Sequence, residues 1–290
     1  MRIRHLVILL LGLVGSIYAG GTKVSKKKRS EKEQKEQVVP QPQGVLSSLG
    51  LSQLEGRESV MQHLAIIPDG NRRYAKAHKM ETFLGHRKGL DVVKIAMQVC
   101  KRNGIKHLSF YTFSLENFKR GETEKNYLFN MLATEFHAAI PELKKERVRV
   151  RFVGDSSYYP AALQATIAEV EAATAGGDAL NLNLLFCYGG RQELVHAAQV
   201  IAQKVKDGTL DPSKITEETI NSALWTAGTP DPELIIRTGM EKSPRTSNFL
   251  PFQSVYSEWM YVEDFWPAMT DERLQECIDN FVNINRNFGT

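Results

Sequence analysis

Several short runs in this chain bring arginine together with glycine, serine or an amide. They are Asp69-Gly70-Asn71-Arg72-Arg73, Ser114-Leu115-Glu116-Asn117-Phe118-Lys119-Arg120, Tyr188-Gly189-Gly190-Arg191, Arg237-Thr238-Gly239 and Arg245-Thr246-Ser247-Asn248. Arginine forks bind phosphate through paired N–H donors. Glycine lets backbone amides approach an anion, and a helix N-terminus adds its dipole. A single Asp-Gly turn or a single arginine is ordinary surface chemistry. The repetition is what points to a polyanion, most simply one or two phosphorylated groups. Two carboxylates also stand out: Asp69 lies among the arginines, and Glu258 sits in the aromatic run YSEWMYVEDFWP. A carboxylate in such a place is paired, solvated in a cleft or bound to a metal. Mg2+ commonly takes one or two carboxylates and completes its shell with water and substrate phosphate. Asp69 with Glu258 would suit it, and a salt bridge is the simpler alternative.

Other phosphate and hydrolase chemistries are disfavoured. Neither GxxxxGK[ST] nor GxGxxG occurs, and there is no GxSxG elbow.

The elements that must position these runs alternate along the chain. Strand-like segments fall at 63–67, 107–114, 148–154, 180–188, 233–238 and 258–264, all short and rich in apolar residues. Helical patterns fall between them at about 86–102, 122–145, 157–174, 190–206, 216–226, 246–256 and 270–286. This order predicts βαβ units, an α/β fold with a mostly parallel central sheet surrounded by helices. In such sheets ligands sit beyond the carboxyl ends of the strands, where nearly all the runs above fall.

The chain of 290 residues divides into an N-terminal apolar segment (1–21), a basic, proline-containing linker (22–59) and a globular part (60–290). Residues 1–37 hold nine Lys/Arg against three Glu, a net of +6, so the rest of a chain whose total is +4 carries −2. A slightly acidic globular part argues against a broad nucleic-acid face. Residues 6–19, LVILLLGLVGSIYA, read as a short membrane anchor or as the core of a signal peptide ending at Ala19. More positive charge follows this run than precedes it, which for an anchor leaves the following chain on the cytoplasmic side of the membrane. The lysine cluster would also favour anionic lipid. Cys100, Cys187 and Cys277 are odd in number and far apart, so no disulfide framework is expected.

HLAIIPDGNRRYAKAHKMETFLGHRKG, FYTFSLENFKR, LNLLFCYGGRQEL, IIRTG and RTSNFLPFQSVYSEWMYVEDFWP together resemble, in order and approximate spacing, the motifs of the cis-prenyltransferases, the undecaprenyl diphosphate synthase family. The resemblance runs from about His63 to Gly289. It implies a parallel sheet with an apolar product tunnel, usually in a homodimer. The implied reaction is Mg2+-dependent condensation of isopentenyl diphosphate onto an allylic diphosphate such as farnesyl diphosphate, giving a long cis-polyprenyl diphosphate. By the same resemblance Asp69 is catalytic and binds the metal, and Glu258 is a second metal carboxylate contributed across the dimer. Gly70, Asn71, Arg72, Arg73, Tyr74 and His86 surround the allylic diphosphate. Ser114, Leu115, Glu116, Phe118 and Arg120 are neighbouring substrate contacts. Arg237, Arg245, Thr246 and Ser247 form the isopentenyl diphosphate site. Asn117 assists proton removal; an amide is scarcely basic, so it is expected to orient a diphosphate oxygen or water. Residues 122–140 are a candidate tunnel wall.

The sequence departs from the family's pattern at Pro68, Tyr74, Thr82, Phe118, Gly121 and Asn287, and its loop from Arg237 to Arg245 is longer. Thr82 replaces a common arginine, with Lys79 or Arg87 as candidate substitutes. Arg286 could serve beside Asn287. Such changes keep open a catalytically weak partner subunit of a heteromeric enzyme, which activity of the protein alone would exclude. A secreted phosphate-ester binder is a third reading, which an intact N-terminus in the membrane fraction would count against.

Overall fold

The structure is a computed structural model that describes residues 61–119, 121–240 and 244–284. The apolar segment, the linker, Arg120, Arg286 and Asn287 lie outside the described residues. Among the described residues no helix is long and apolar enough to cross a membrane.

Six parallel strands form one sheet in the order β3-β4-β2-β1-β5-β6. They are β1 (His63–Ile67), β2 (His107–Ser114), β3 (Val148–Val153), β4 (Leu180–Tyr188), β5 (Leu234–Arg237) and β6 (Glu258–Tyr261). The helices are α1 (Asn71–Ala77), α2 (Thr82–Arg102), α3 (Glu122–Lys145), α4 (Ala161–Thr174), α5 (Gly190–Lys206), α6 (Glu217–Asn221) and α7 (Asp271–Val282). Side chains of a strand alternate between faces. In β1, Leu64 and Ile66 enter one apolar cluster, while Ala65 and Ile67 enter another. Both faces are therefore covered, which is why this strand reads as an unbroken apolar run. The buried positions of α2 are Gly85, Gly89, Val92, Ala96, Val99 and Cys100, one stripe at helical spacing. Its glycines permit close approach, since a Cβ at Gly89 would lie 2.5 Å from Asn71 Oδ1.

Two expectations are corrected. Residues 216–226 yield only the short α6, followed by turns. Residues 246–256 form no helix but a series of turns. Ser247, Asn248 and Leu250 have φ of 52, 62 and 47, left-handed backbone that a right-handed helix cannot contain. Pro251 also disfavours helical backbone at Leu250. The structure adds α1, which the apolar periodicity does not announce.

The amino-terminal edge of the sheet holds a buried polar chain. His63 is 2% exposed. Its Nδ1 lies 2.6 Å from Pro230 O, and its Nε2 lies 2.8 Å from Ser109 Oγ. A carbonyl only accepts, so Nδ1 carries the proton and the Ser109 hydroxyl donates to Nε2. Ser109 Oγ in turn accepts from Asn183 Nδ2 at 3.2 Å. Burial, with nearby His107 adding to it, lowers the His63 pKa to about 4. The unfolded chain takes up this proton near pH 6.5, the native one only near pH 4. Stability is thus intact above pH 6.5 and is lost as pH falls toward 4, by about 3 kcal/mol in total. Urea titrations at pH 7.5 and 4.5 should show this acid slope, and His63→Gln should flatten it. An unchanged slope would remove His63 as its source.

Candidate active site

β1 ends at Ile67, and the chain then turns at Gly70, whose φ is 105. A Cβ at Gly70 would also lie 2.7 Å from Phe265 Cδ1. From this turn the chain enters α1, so Asn71, Arg72 and Arg73 ride on the first helical turn. Asp69 is held from all sides. Its backbone carbonyl accepts from Trp266 N–H at 3.0 Å and from the Thr238 hydroxyl at 2.8 Å. Its Oδ1 accepts from the Gly70 N–H at 2.6 Å and lies 3.3 Å from Arg73 Nη2. Its Oδ2 accepts from Arg237 Nη2 at 3.0 Å. The Arg73 guanidinium stands 5.2 Å from the Phe265 ring centroid.

Arg237 closes β5, in register with Ile67 of β1. Its side chain is 5% exposed, against 45% for Arg73. Besides Asp69, it reaches Arg245 O and Ser247 Oγ through Nη1, both at 2.7 Å. Arg237 therefore sets the Arg245–Ser247 loop against Asp69. Arg245 and Thr246 are exposed on that loop.

Two adjoining cavities meet here, of about 630 and 500 Å³. Pro68, Asp69, Asn71 and His86 line both. The larger continues over Gly70, Arg72, Arg73, Lys76, Met80 and Thr82. The smaller is lined by Ser114, Glu116 and Asn117 after β2, by Leu128 of α3, and by Tyr111, Arg237, Ser247 and Asn248. Asn117 Oδ1 accepts from the Ser114 N–H at 3.3 Å, which leaves its NH2 end to meet a ligand. His86 Nε2 lies 3.6 Å from Glu124 Oε1. The Tyr111 hydroxyl donates to Ser247 O at 3.3 Å, and burial, then the Glu116 charge, keeps it protonated by raising its pKa.

Other residues singled out in the sequence stand elsewhere. Tyr74 stacks on His78 at 4.0 Å and lines neither cavity. Leu115 and Phe118 pack into the apolar cluster of Phe113, Leu128 and Leu132. Arg87 pairs with Glu135 at 3.7 Å, and beside Thr82 it is Lys76, not Lys79 or Arg87, that lines the cavity. The Gly189-Gly190-Arg191 turn offers no amides to an anion at its first two helical N–H groups, because Asn248 accepts from both Gly190 and Arg191. Glu258 opens β6, opposite Leu234 and in line with Leu64, whereas Asp69 follows Ile67. Three residues of strand, about 10 Å, separate Glu258 from the end of the sheet where Asp69 lies. Within one chain the two carboxylates do not share a site.

Lys76 and Tyr111 carry no signal that singles them out, while Thr238 and Asn248 stand in the arginine runs with no role of their own to read from the sequence. Only the DGNRR, RTG and RTS runs could direct attention there.

A family profile described as "Putative undecaprenyl diphosphate synthase" matches residues 67–289. An isoprenyl transferase of Agrobacterium fabrum is 39% identical over 233 residues, covering 80% of this chain and 94% of that protein. The farnesyl-diphosphate-specific ditrans,polycis-undecaprenyl-diphosphate synthase of Micrococcus luteus is 38% identical over 230 residues, covering 79% and 92%. Lavandulyl diphosphate synthase from Lavandula x intermedia, solved in complex with dimethylallyl diphosphate, superposes with a TM-score of 0.76 at 30% identity, covering 80% of this chain and 99% of that one. With this fold and these matches over most of its length, the chain belongs to the undecaprenyl diphosphate synthase family and is a transferase of prenyl groups.

Proposed function

We propose that the protein is a Mg2+-dependent cis-prenyltransferase. It condenses isopentenyl diphosphate repeatedly onto an allylic diphosphate, farnesyl diphosphate in the simplest case, and makes a long cis-polyprenyl diphosphate. The observation that carries this reading is the pair of cavities meeting at Asp69. One is walled by Arg72, Arg73 and Lys76, and the other by Arg237, Ser247, Asn117 and the apolar Leu128. Two diphosphates could thus flank one carboxylate. The farnesyl-diphosphate specificity of the Micrococcus luteus relative supports that starter.

Arg73 is half-exposed and Lys76 exposed, so both can follow the allylic diphosphate as negative charge grows on its leaving oxygen. Buried Arg237 sets a fixed positive charge beside the second diphosphate and orders the Ser247 loop that faces it, since its guanidinium is already spent on Asp69, Arg245 O and Ser247 Oγ. The proton lost after each condensation passes to a diphosphate oxygen or water that the Asn117 amide orients. Asp69 fits Mg2+ as a single carboxylate ligand, since its side chain is 33% exposed and opens on both cavities. The ion supplies charge neutralisation to a departing diphosphate. The growing chain extends from Leu128, which lines the smaller cavity, along α3, where Phe129 packs directly on Phe113 and Phe186 and the wall is apolar.

A homodimer completes this reading. β6 is an edge strand with half-buried side chains, and Val255 and Tyr256 beside it are 68% and 77% exposed. A second copy covering this edge would bury them and carry Glu258 toward its neighbour's Asp69. The apolar segment at residues 6–19 supports placement on the cytoplasmic side of a membrane, where a polyprenyl product dissolves.

The test is incubation of the purified protein with farnesyl and isopentenyl diphosphates, with Mg2+ and with EDTA. Mass analysis should find polyprenyl diphosphates only with Mg2+. No growth under either condition overturns the proposal, and growth only after adding a homologous chain favours the partner-subunit reading.

A further inference from the structure

The first N–H groups of a helix have no acceptor inside it. α5 begins after Gly189, which has no side chain to supply one. The cap comes instead from a distant segment. Asn248 O accepts the Gly190 N–H and Asn248 Oδ1 accepts the Arg191 N–H, both at 2.9 Å. The other end of the same amide donates to Glu116 Oε1 at 2.9 Å and to Gln192 Oε1 at 3.2 Å. One side chain thus joins the start of α5, the turn that carries Asn117 and the loop that carries Ser247.

The arrangement is held against resistance. Ser247, Asn248 and Leu250 keep left-handed φ, a region that non-glycine residues avoid and that recurs at functional sites. Asn tolerates it best among them, because its short polar side chain bonds locally. The facing glycines leave no slack. A Cβ at Gly190 would lie 2.0 Å from Pro251 Cδ, and one at Gly189 would lie 2.8 Å from Asn248 Nδ2.

We propose that Asn248 is a positioning residue for the condensation, a clip that fixes the Ser247 loop to the Asn117 turn across the smaller cavity. This rests on that cavity taking isopentenyl diphosphate. A plain helix cap needs only the bonds to Gly190 and Arg191. The bond to Glu116 adds nothing to capping, yet it ties together the two walls that must hold the diphosphate and steer its proton. Glu116 is exposed and would otherwise be free to swing away. The Glu116 carboxylate, engaged in this way, is part of the wall and not an anion ligand.

Asn248→Asp separates clip from cap. Aspartate caps helices as well as asparagine does, but it cannot donate, and it sets a carboxylate against that of Glu116. Thermal stability should stay near wild type, while KM for isopentenyl diphosphate rises about tenfold and KM for the allylic substrate stays within about twofold. Adding Glu116→Gln restores a donor from the opposite side and should return KM to within about threefold of wild type. Glu116→Ala alone breaks the clip without touching the cap, and should raise the same KM if the aspartate variant fails to fold. Calorimetric titration with isopentenyl diphosphate reads the same shifts as Kd without turnover. An unchanged KM and Kd in both single variants, or no rescue in the double variant, overturns the clip. No chain growth by wild type, with these Kd shifts intact, counts against the reaction and not against the clip.

Discussion

Asp69→Asn should slow chain growth about a thousandfold while leaving the protein folded. Asparagine keeps an oxygen for the Gly70 N–H and a shape that fits the turn. What it loses is the charge that neutralises Arg73 and Arg237, which stand 3.3 and 3.0 Å from the carboxylate. It also loses a carboxylate that, alone among those of the described residues, opens on both cavities. Initial rates of isopentenyl incorporation, with melting curves as control, measure the effect. A loss below about tenfold would remove Asp69 from the chemistry.

The same variant tests where Glu258 acts. The sheet register places Glu258 at the opposite end of the strands from its own Asp69. Asp69→Asn and Glu258→Gln chains should each be weak alone. Mixed after dissociation, half of the dimers pair one of each, and one of their two sites has both carboxylates. Activity should then return to roughly a quarter of wild type, as a shared interface requires. Mixing without recovery would mean that Glu258 does not complete a neighbour's site.

Arg237→Lys should lower kcat/KM for isopentenyl diphosphate about a hundredfold. The charge survives, but a single ammonium cannot span the acceptors that the fork reaches. Those are Asp69 Oδ2, Arg245 O and Ser247 Oγ, at 3.0, 2.7 and 2.7 Å. The Ser247 loop is strained and loses its anchor on the β5 side, so the melting temperature should fall as well. Steady-state kinetics against isopentenyl diphosphate decide this. Rates within about threefold of wild type would show that the fork is dispensable.

Much of the fold is legible in the residues. The strands 63–67, 107–114 and 180–188 stand at their expected bounds because they are covered on both faces and read as apolar runs. The helices 122–145 and 190–206 are equally plain. The helix expected over 246–256 fails because Pro251 interrupts it and Asn248 spends its backbone and side chain on α5. Glu258 opens its strand, as the predicted segment 258–264 has it, and in a parallel sheet that is the amino end. What the residues alone do not say is how far this leaves it from its own Asp69.

What the sequence by itself determined is the chemistry: runs of arginine, amide and small residues at strand ends, and the family motifs that they form. Residue type fixes charge and donor geometry wherever the chain goes, so such runs can be read without a fold. What only the tertiary structure decided is which of these groups meet. Asp69 and Arg237 lie far apart in the chain and touch because β1 and β5 pair in register. Asn248 joins α5 to the Glu116 turn because two glycines and three left-handed residues let those segments approach. Lys76, and not Lys79 or Arg87, lines the larger cavity because it lies on α1, which starts directly after the Gly70 turn, whereas Lys79 follows the helix. Contacts between distant segments depend on register and backbone hand, and neither is written in any single stretch of residues.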